Sequence, residues 1–194
     1  LGSNGVIVPP DGYWQRVREI CDRYEVLLVC DEVMAGFGRT GAWFSIDHWG
    51  VVPDILVSAK GITGGYIPLG ATSMREHVAD AFAEQVYDHG HTYSGHTLAM
   101  AAGVAAIEVY MADGLIERSA TLGAYLLEKA HALKERHPCI GDVRGKGLFV
   151  GMELVKDRAT KEPMHDPLAG SRQPSGKMKV LAEAMRNGVY CLPG

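Results

Sequence analysis

The chain has 194 residues and a formal net charge of −4, which suits one globular domain or slightly more. Its basic residues form no cluster, so the composition argues against a nucleic-acid partner. We find no signal-peptide pattern and no apolar run of transmembrane length, and the four cysteines are scattered without a C-x-x-C pair. We therefore expect a cytoplasmic protein with buried, reduced thiols and no membrane partner.

The first half of the chain alternates between predicted helices and strands. Pro10-Asp11 marks the start of a helix whose apolar stripe runs from Trp14 to Tyr24 through Val17, Ile20 and Cys21. Val26–Cys30 is a run of apolar residues, which is typical of a strand buried on both faces in a parallel sheet. Two further strands and a helix are predicted over residues 54–58, 69–74 and 76–87.

The second half begins with two predicted helices. Residues 97–111 are almost wholly apolar and rich in alanine, so we expect this helix to be buried in the core. A second helix begins near Leu115 and ends before Pro138, with an apolar stripe at Leu115, Leu122, Leu126, Ala130 and Leu133.

A smaller α+β unit follows this second helix. Val143–Leu154 predicts one or two strands, and the polar segment Lys156–Pro174 predicts a loop. Lys177–Asn187 predicts a helix, and Val189–Leu192 a final strand. We therefore divide the chain into an α/β unit, residues 1–136, and an α+β unit, residues 137–194.

Two charged side chains follow the ends of the first two predicted strands. Asp31 directly follows Val26–Cys30, and Lys60 follows the run Ile55–Ala59 and precedes a glycine-rich turn. Ligands of open α/β sheets bind at the carboxyl ends of the strands, so neighbouring strands would bring this acid and this amine to one crevice. A lysine amine can form an imine with a carbonyl cofactor, and a carboxylate can keep a pyridine nitrogen protonated. From the spacing alone, a plain ion pair of Asp31 with Lys60 or Arg39 is an equal alternative.

The histidines offer one candidate metal cluster. His89, His91 and His96 are close in sequence, but no carboxylate or cysteine pair completes a recognised ligand spacing. We expect no metal, and a loop role for these histidines.

Several long motifs resemble the class III pyridoxal-phosphate-dependent aminotransferases. The motifs are Asp31-Glu32-Val33 with Gly36–Gly41, Pro53-Asp54-Ile55, Ala59–Ala71 and His91–His96. Their order and spacing also resemble the family over nearly the whole chain. Within the family, the chain is most similar to the pyruvate-dependent omega-amino acid group, which includes taurine–pyruvate aminotransferase.

The resemblance implies the fold. Residues 1–136 would be the C-terminal part of the large cofactor domain of the aspartate-aminotransferase type, an α/β fold with a mostly parallel sheet, together with the connecting helix. Residues 137–194 would be part of the small C-terminal α+β domain. The remaining parts of the enzyme, including other phosphate-binding groups and a carboxylate-binding arginine, would lie outside this chain, which we therefore expect to be an inactive fragment.

The resemblance also implies roles for individual residues. Lys60 would bind pyridoxal 5′-phosphate (PLP) covalently and later move a proton, and Asp31 would pair with the pyridinium nitrogen. Val33 would pack on one face of the ring, and Thr92 would bind the phosphate across the interface of a homodimer. Many family members have glutamine in place of Met34, so the group that contacts the ring hydroxyl is open.

The implied reaction moves an amino group from an amine or omega-amino acid donor to a keto acid such as pyruvate. Two alternatives stay open. A PLP-dependent aminomutase, racemase or decarboxylase would share Lys60 and Asp31, and a truncated domain could serve only in association. A nucleotide-binding function is disfavoured, because no G-x-G-x-x-G motif follows a strand.

Overall fold

The computed structural model describes Gly2, residues 5–164 and residues 176–191. The helices in these ranges are α1 (Tyr13–Arg23), α2 (Glu76–Ala79), α3 (Thr97–Ala112), α4 (Leu115–Arg136) and α5 (Gly176–Arg186). The strands are β1 (Val29–Asp31), β2 (Ile55–Ala59), β3 (Gly70–Met74), β4 (Ile140–Lys146), β5 (Phe149–Asp157) and β6 (Glu162–Pro163). Short 3-10 helices cover Ser45–Trp49, Lys60–Thr63 and Asp80–Phe82.

The first sheet has the order β1-β2-β3, with β1 and β2 parallel and β3 antiparallel to β2. Leu28 and Cys30 point into a core cluster, whereas Val26, Leu27 and Val29 are exposed. The expectation of a strand buried on both faces is therefore wrong for this chain. The reason is that one face of β1 packs on the core, while the residues that the structure describes do not cover the other.

Helix α1 covers the buried face of this sheet. Trp14, Val17 and Cys21 pack against the core cluster, whose buried members are Leu28, Cys30, Ile46, Trp49 and Val51. Ile20 and Tyr24, which the sequence assigned to the same stripe, are exposed. They lie beside the i, i+3, i+7 line on which the three packed residues fall.

Helix α3 is less buried than its composition predicts. Ala99 and Gly103 are buried, but Leu98, Val104 and Met111 are exposed. Only the side that faces the turn after Lys60 is covered, because Gly103 lies against Ile62, Thr63 and Leu69.

Two other helices differ from the prediction. Helix α2 and the 3-10 turn after it end at Phe82, so the helix predicted to reach residue 87 is shorter. Helix α4 has the predicted length, but it buries Ile116, Ser119, Gly123 and Ala130, while Leu122 and Leu126 are exposed. The buried residues of α4 are mostly small, so neighbouring segments can approach the helix closely. The predicted stripe of leucines did not indicate this close approach.

No single helix in the described ranges is long and apolar enough to cross a membrane. Helices α3 and α4 meet the length and composition criterion only when joined, and they are bent by 62° at the break between them.

The second sheet is built on the antiparallel pair β4 and β5, extended by the short β6. It packs on α4 through a cluster of Ala130, Ile140 and Val143. Residues 189–191 form no strand, because no described strand pairs with them, and Leu192 lies outside the described residues. The polar segment after Lys156 is not entirely loop, since it completes β5 and forms β6, and residues 165–174 of that segment lie outside the described ranges. The division of the chain at residues 136 and 137 stays a prediction.

The loop after Asp31 contacts the second sheet through glycines. A Cβ atom on Gly41 would lie 2.8 Å from the Ala120 Cα, and one on Gly147 would lie 2.3 Å from the Thr40 carbonyl carbon. A Cβ on Gly123 would lie 2.2 Å from the Gly147 carbonyl carbon. We call these three residues the glycine contact. It brings the loop, α4 and the β4–β5 turn together at backbone distance.

Candidate active site

Asp31 and Lys60 emerge from neighbouring strands at the same edge of the first sheet. Asp31 is the last residue of β1 and is paired in register with Val57 of the parallel strand β2. Lys60 comes three residues after Val57. Its Nζ donates to the Met34 sulfur, so the amine reaches the segment that follows Asp31. The acid and the amine therefore lie at the sheet edge where the sequence predicts the crevice.

The side chain of Asp31 is exposed and only partly engaged. Its Oδ1 accepts the Val33 backbone N–H at 2.9 Å. Within residues 5–164, no ion pair joins Asp31 to Lys60 or to Arg39. The plain ion pair that the spacing allowed is therefore not found, and Oδ2 is open to a donor from a ligand.

Glu32, the next residue, is buried and was not assigned a role from the sequence. Its carboxylate accepts the Ser45 N–H at 2.9 Å, the Ser45 hydroxyl at 2.6 Å and the Ile46 N–H at 2.9 Å. These charge-assisted bonds fix the far end of the loop that begins at Val33. The sequence does contain a signal for this residue, because Glu32 is a second acid directly after the end of the strand. Side chains alternate between the two faces of an extended segment, so Glu32 lies on the face opposite to Asp31.

Val33 lies at the start of this loop. It begins a turn instead of continuing β1, so the argument that an extended segment sets its direction does not apply. Its side chain is half-buried next to the Asp31 carboxylate that its own N–H contacts.

The Lys60 backbone has an uncommon conformation. Its φ is 48°, in the left-handed region that a non-glycine residue seldom adopts. The Gly65 N–H donates to the Lys60 carbonyl at 3.1 Å, and the buried Thr63 hydroxyl donates to the Ile67 carbonyl at 2.7 Å. An open depression of about 580 Å³ is lined by Ala59, Lys60, Gly65 and residues 67–70.

Thr92 is not brought to this crevice by the folding of one chain. It lies in an exposed turn before α3, where the His91 N–H donates to the Ser94 hydroxyl at 3.2 Å. His96 has a structural role, because its Nδ1 accepts the Ala99 N–H at the start of α3. Within the described ranges, no group of three metal-ligating side chains includes these histidines.

The cysteines are free, but they are not all buried. Cys30 is buried in the core cluster, whereas Cys191 is exposed, which corrects the expectation of four buried thiols. Burial, aided by the negative charge of Glu32, raises the pKa of Cys30 to about 11. Cys30 is therefore a neutral, apolar thiol at physiological pH.

The family model for Aminotransferase class-III matches residues 1–194. The chain belongs to this family. Among its curated relatives, taurine–pyruvate aminotransferase of Bilophila wadsworthia is 46% identical over 175 residues, which cover 87% of this chain and 38% of the relative. The aminotransferase YhxA of Bacillus subtilis, which is uncharacterised, is 49% identical over 167 residues, covering 84% of this chain and 37% of the relative.

Solved structures show the same fold. Taurine:2-oxoglutarate aminotransferase from Bifidobacterium kashiwanohense, in complex with PLP and glutamate, has a TM-score of 0.93 and 40% identity, covering 99% of this chain and 42% of that one. An amine transaminase from an uncultivated Pseudomonas species, in a PLP-bound form, has a TM-score of 0.90 and 48% identity, covering 99% and 43%. The resemblance and the α/β fold class are confirmed. The chain spans about 40% of the length of these relatives.

The chemistry of the crevice fits PLP. An exposed primary amine on Lys60 and a carboxylate of Asp31 with one open oxygen lie at adjacent strand ends, with the apolar Val33 beside them. An aldehyde, a ring nitrogen and a flat ring face are the complementary groups of the cofactor.

Proposed function

We propose that the complete enzyme containing this chain catalyses PLP-dependent transamination from an amine or omega-amino acid to a keto acid such as pyruvate. The observation that carries the proposal is the pairing of β1 and β2, which places Asp31 and Lys60 at one sheet edge. Relatives named taurine–pyruvate and putrescine–pyruvate aminotransferase, 46% and 40% identical, support this donor and acceptor class.

The cofactor is PLP, as in the two solved relatives. When bound, PLP supplies an aldehyde that condenses with amines with loss of water, and a protonated ring that withdraws electrons from the carbon being deprotonated. Lys60 Nζ would hold the aldehyde, and the same amine would carry the proton that the donor carbon loses. Asp31 would accept the N–H of the ring and would keep that nitrogen protonated.

Two neighbouring side chains complete this part of the site. Val33 packs on the ring face, where its branched side chain excludes water. Met34 has no N–H to offer the ring hydroxyl, and its sulfur instead accepts a hydrogen bond from the Lys60 amine. We propose that Met34 holds the amine close to the Asp31 segment.

The assembly is part of the proposal. Thr92 lies in an exposed turn and binds the cofactor phosphate of a second subunit in a homodimer, so each site needs both chains. We also place the enzyme in the cytoplasm, a location supported by its free cysteines at positions 21, 30, 139 and 191.

Borohydride reduction of the complete PLP-loaded enzyme, followed by peptide mapping, tests the role of Lys60. We expect the pyridoxyl group on Lys60 and its loss in Lys60→Ala. Lys129→Ala is the control, because Lys129 is exposed and among the described residues pairs with Glu128 and the Tyr125 ring. A label on another lysine with none on Lys60 contradicts the assignment.

Alanine formation tests the reaction itself. The complete enzyme should convert pyruvate to alanine only when an amine donor is present, and the donor should become a carbonyl compound in equal amount. Isomerisation, racemisation or CO₂ release from the donor without pyruvate would favour the aminomutase, racemase or decarboxylase alternatives.

A further inference from the structure

The strained backbone at Lys60 requires support from its surroundings. A non-glycine residue with φ of 48° persists only where neighbouring contacts hold it in place. Hydrogen bonds inside the turn, from Gly64 to Gly61 at 3.0 Å and from Gly65 to Lys60 at 3.1 Å, provide part of that support. They tie the turn to itself, and so they do not determine where it lies relative to Asp31.

Tyr110 on α3 provides a contact from outside the turn. Its hydroxyl donates to the carbonyl oxygen of Gly61, the residue covalently bonded to Lys60, at 2.6 Å. The phenol is half-buried, and the Gly61 carbonyl accepts from both Tyr110 and Gly64. This bond fixes the peptide that follows Lys60 to the rigid helix α3.

The ring of Tyr110 also contacts the loop that follows Asp31. Its centroid lies 6.5 Å from that of Phe37 and 6.5 Å from that of Trp43. Phe37 in turn packs on the Lys60 turn, since a Cβ on Gly61 would lie 2.8 Å from the Phe37 Cβ. One side chain therefore contacts both segments that carry the reacting groups.

The helix reaches the turn because Gly103 lies on the same side. A Cβ at Gly103 would lie 3.2 Å from the Leu69 Cδ2 and 3.5 Å from the Ile62 carbonyl oxygen. Gly103 and Tyr110 are seven residues apart, which is two helical turns, so they form one contact line along α3.

We propose that Tyr110 is a positioning residue whose hydroxyl, through the Gly61 carbonyl, sets the direction of the Lys60 amine relative to Asp31. The inference rests on the proposed function, because it concerns the amine that captures PLP. Without the hydroxyl, the Gly61 peptide is held only by the turn, and Lys60 spends less time in the conformation that meets the cofactor aldehyde.

The test uses the complete enzyme, stripped of PLP and then mixed with saturating PLP, with covalent capture followed by absorbance. Tyr110→Phe keeps the ring and removes one oxygen, and Tyr125→Phe is the control because Tyr125 is exposed on α4. We expect capture by Tyr110→Phe to slow about three- to tenfold, as the loss of one hydrogen bond allows, with Tyr125→Phe unchanged. Hydrogen exchange of the amides of residues 61–65 should quicken only in Tyr110→Phe.

A second variant approaches the same contact from the helix. Gly103→Ala favours the helix by propensity, so it should fold, but its methyl group presses α3 away from Leu69 and the Ile62 carbonyl. We expect slower capture here as well.

The outcomes separate this inference from the proposed function. If the parent captures PLP on Lys60 but Tyr110→Phe and Gly103→Ala capture it at the parent rate, the inference is overturned and the proposed function stands. A lower melting temperature in Tyr110→Phe with unchanged capture also overturns the inference, because it assigns the hydroxyl to stability alone. If the parent captures no PLP at Lys60, both fail.

Discussion

Asp31 and Glu32 are adjacent acids with different environments. Consecutive residues of an extended segment face opposite sides, so the Asp31 side chain enters the crevice while Glu32 enters the core. The exposed fraction of Glu32 is 2%, and three donors from Ser45 and Ile46 satisfy its charge. Asp31 instead retains an open oxygen, as a group that binds a ligand requires.

Asp31→Asn in the complete enzyme should lower turnover per bound PLP by at least about tenfold and change the melting temperature little. Turnover falls because an amide does not keep the ring nitrogen protonated, and a neutral ring withdraws fewer electrons from the donor carbon. The melting temperature changes little because Asp31 makes no ion pair within residues 5–164. Steady-state kinetics normalised to PLP content and a thermal melt measure both effects. Asp11→Asn, an exposed site, is the control. Normal turnover per bound PLP with a large loss of melting temperature would assign Asp31 to structure.

At the scale of single residues, the sequence predicted the positions of Asp31 and Lys60 because a strand end is visible as the end of an apolar run. The contacts of Tyr110 could not be predicted, because Tyr110 and Gly61 are 49 residues apart and only the packing of α3 brings them together. The buried bonds of Glu32 were missed because Ser45 and Ile46 lie 13 and 14 residues further along the chain, and only the path of the loop brings them back.

At the scale of secondary-structure elements, Asp54 joins four segments at the end of β2 opposite to Lys60. Its carboxylate accepts the Leu28 N–H at 2.8 Å and the Arg18 guanidinium of α1 at 2.7 Å. His77 and Arg75, which follow β3, lie 3.3 Å and 3.8 Å away. Burial alone would raise the pKa of Asp54, but the Leu28 N–H and the Arg18 guanidinium outweigh it and hold the pKa below its usual value.

The free energy of unfolding should depend on pH because of these contacts to the Asp54 carboxylate. Because the folded-state pKa of Asp54 is lowered, its contribution is present above the unfolded pKa of about 4 and is lost as pH falls through the folded value. We expect Asp54→Asn to reduce the free energy of unfolding by about 3 kcal/mol at pH 7, because Arg18 loses its buried partner.

Denaturant titrations of the parent and of Asp54→Asn between pH 7 and pH 3 measure this effect. The difference between them should shrink as the pH falls below about 4. A difference that is constant over this range would show that the charge of Asp54 is not what stabilises the fold. Asp142→Asn serves as a comparison, since the carboxylate of Asp142 is half-exposed.

The spacing of apolar residues along the chain predicted which segments are helices and which are strands. It did not predict which faces of those segments are buried. The apolar stripe on α4 indicated a helix of the right length, yet Leu122 and Leu126 are exposed and Gly123 is buried. Period determines that a helix has a packed side, whereas the segments that pack against it determine how much of each side is covered. The chain spans about 40% of the length of its relatives, and its described residues leave these faces of the helices uncovered.

At the scale of the whole molecule, apolar side chains on β1 and α3 remain exposed in the described ranges. Val26, Val29, Leu98, Val104 and Met111 are each at least half exposed. Exposed apolar surface of this kind favours association. We expect the isolated 194-residue chain to self-associate, bind PLP weakly and show no transamination.

Thr92→Ala in the complete enzyme should weaken PLP binding about ten- to a hundredfold. One hydrogen bond to a charged phosphate contributes roughly 1.5–3 kcal/mol, which gives this range. PLP titrations of the parent and of Thr92→Ala measure the change, and sedimentation checks that the variant still forms the dimer. Thr121→Ala is the control, because the exposed Thr121 hydroxyl donates to the Glu117 carbonyl within its own helix, α4. Equal PLP affinity in parent and Thr92→Ala would remove Thr92 from the site.

The glycine contact has a consequence for how substitutions in this chain are tolerated. At Gly41, Gly123 and Gly147, even a methyl group meets backbone atoms within 3 Å, and backbone cannot move aside as a side chain can. A saturation library should therefore reject every substitution at these positions as firmly as at Lys60, the proposed cofactor lysine, while Gly90, with nothing within 4 Å, should accept alanine. A map of intolerant positions would then mark three residues that carry no reactive group, and intolerance alone would overstate the size of the catalytic centre.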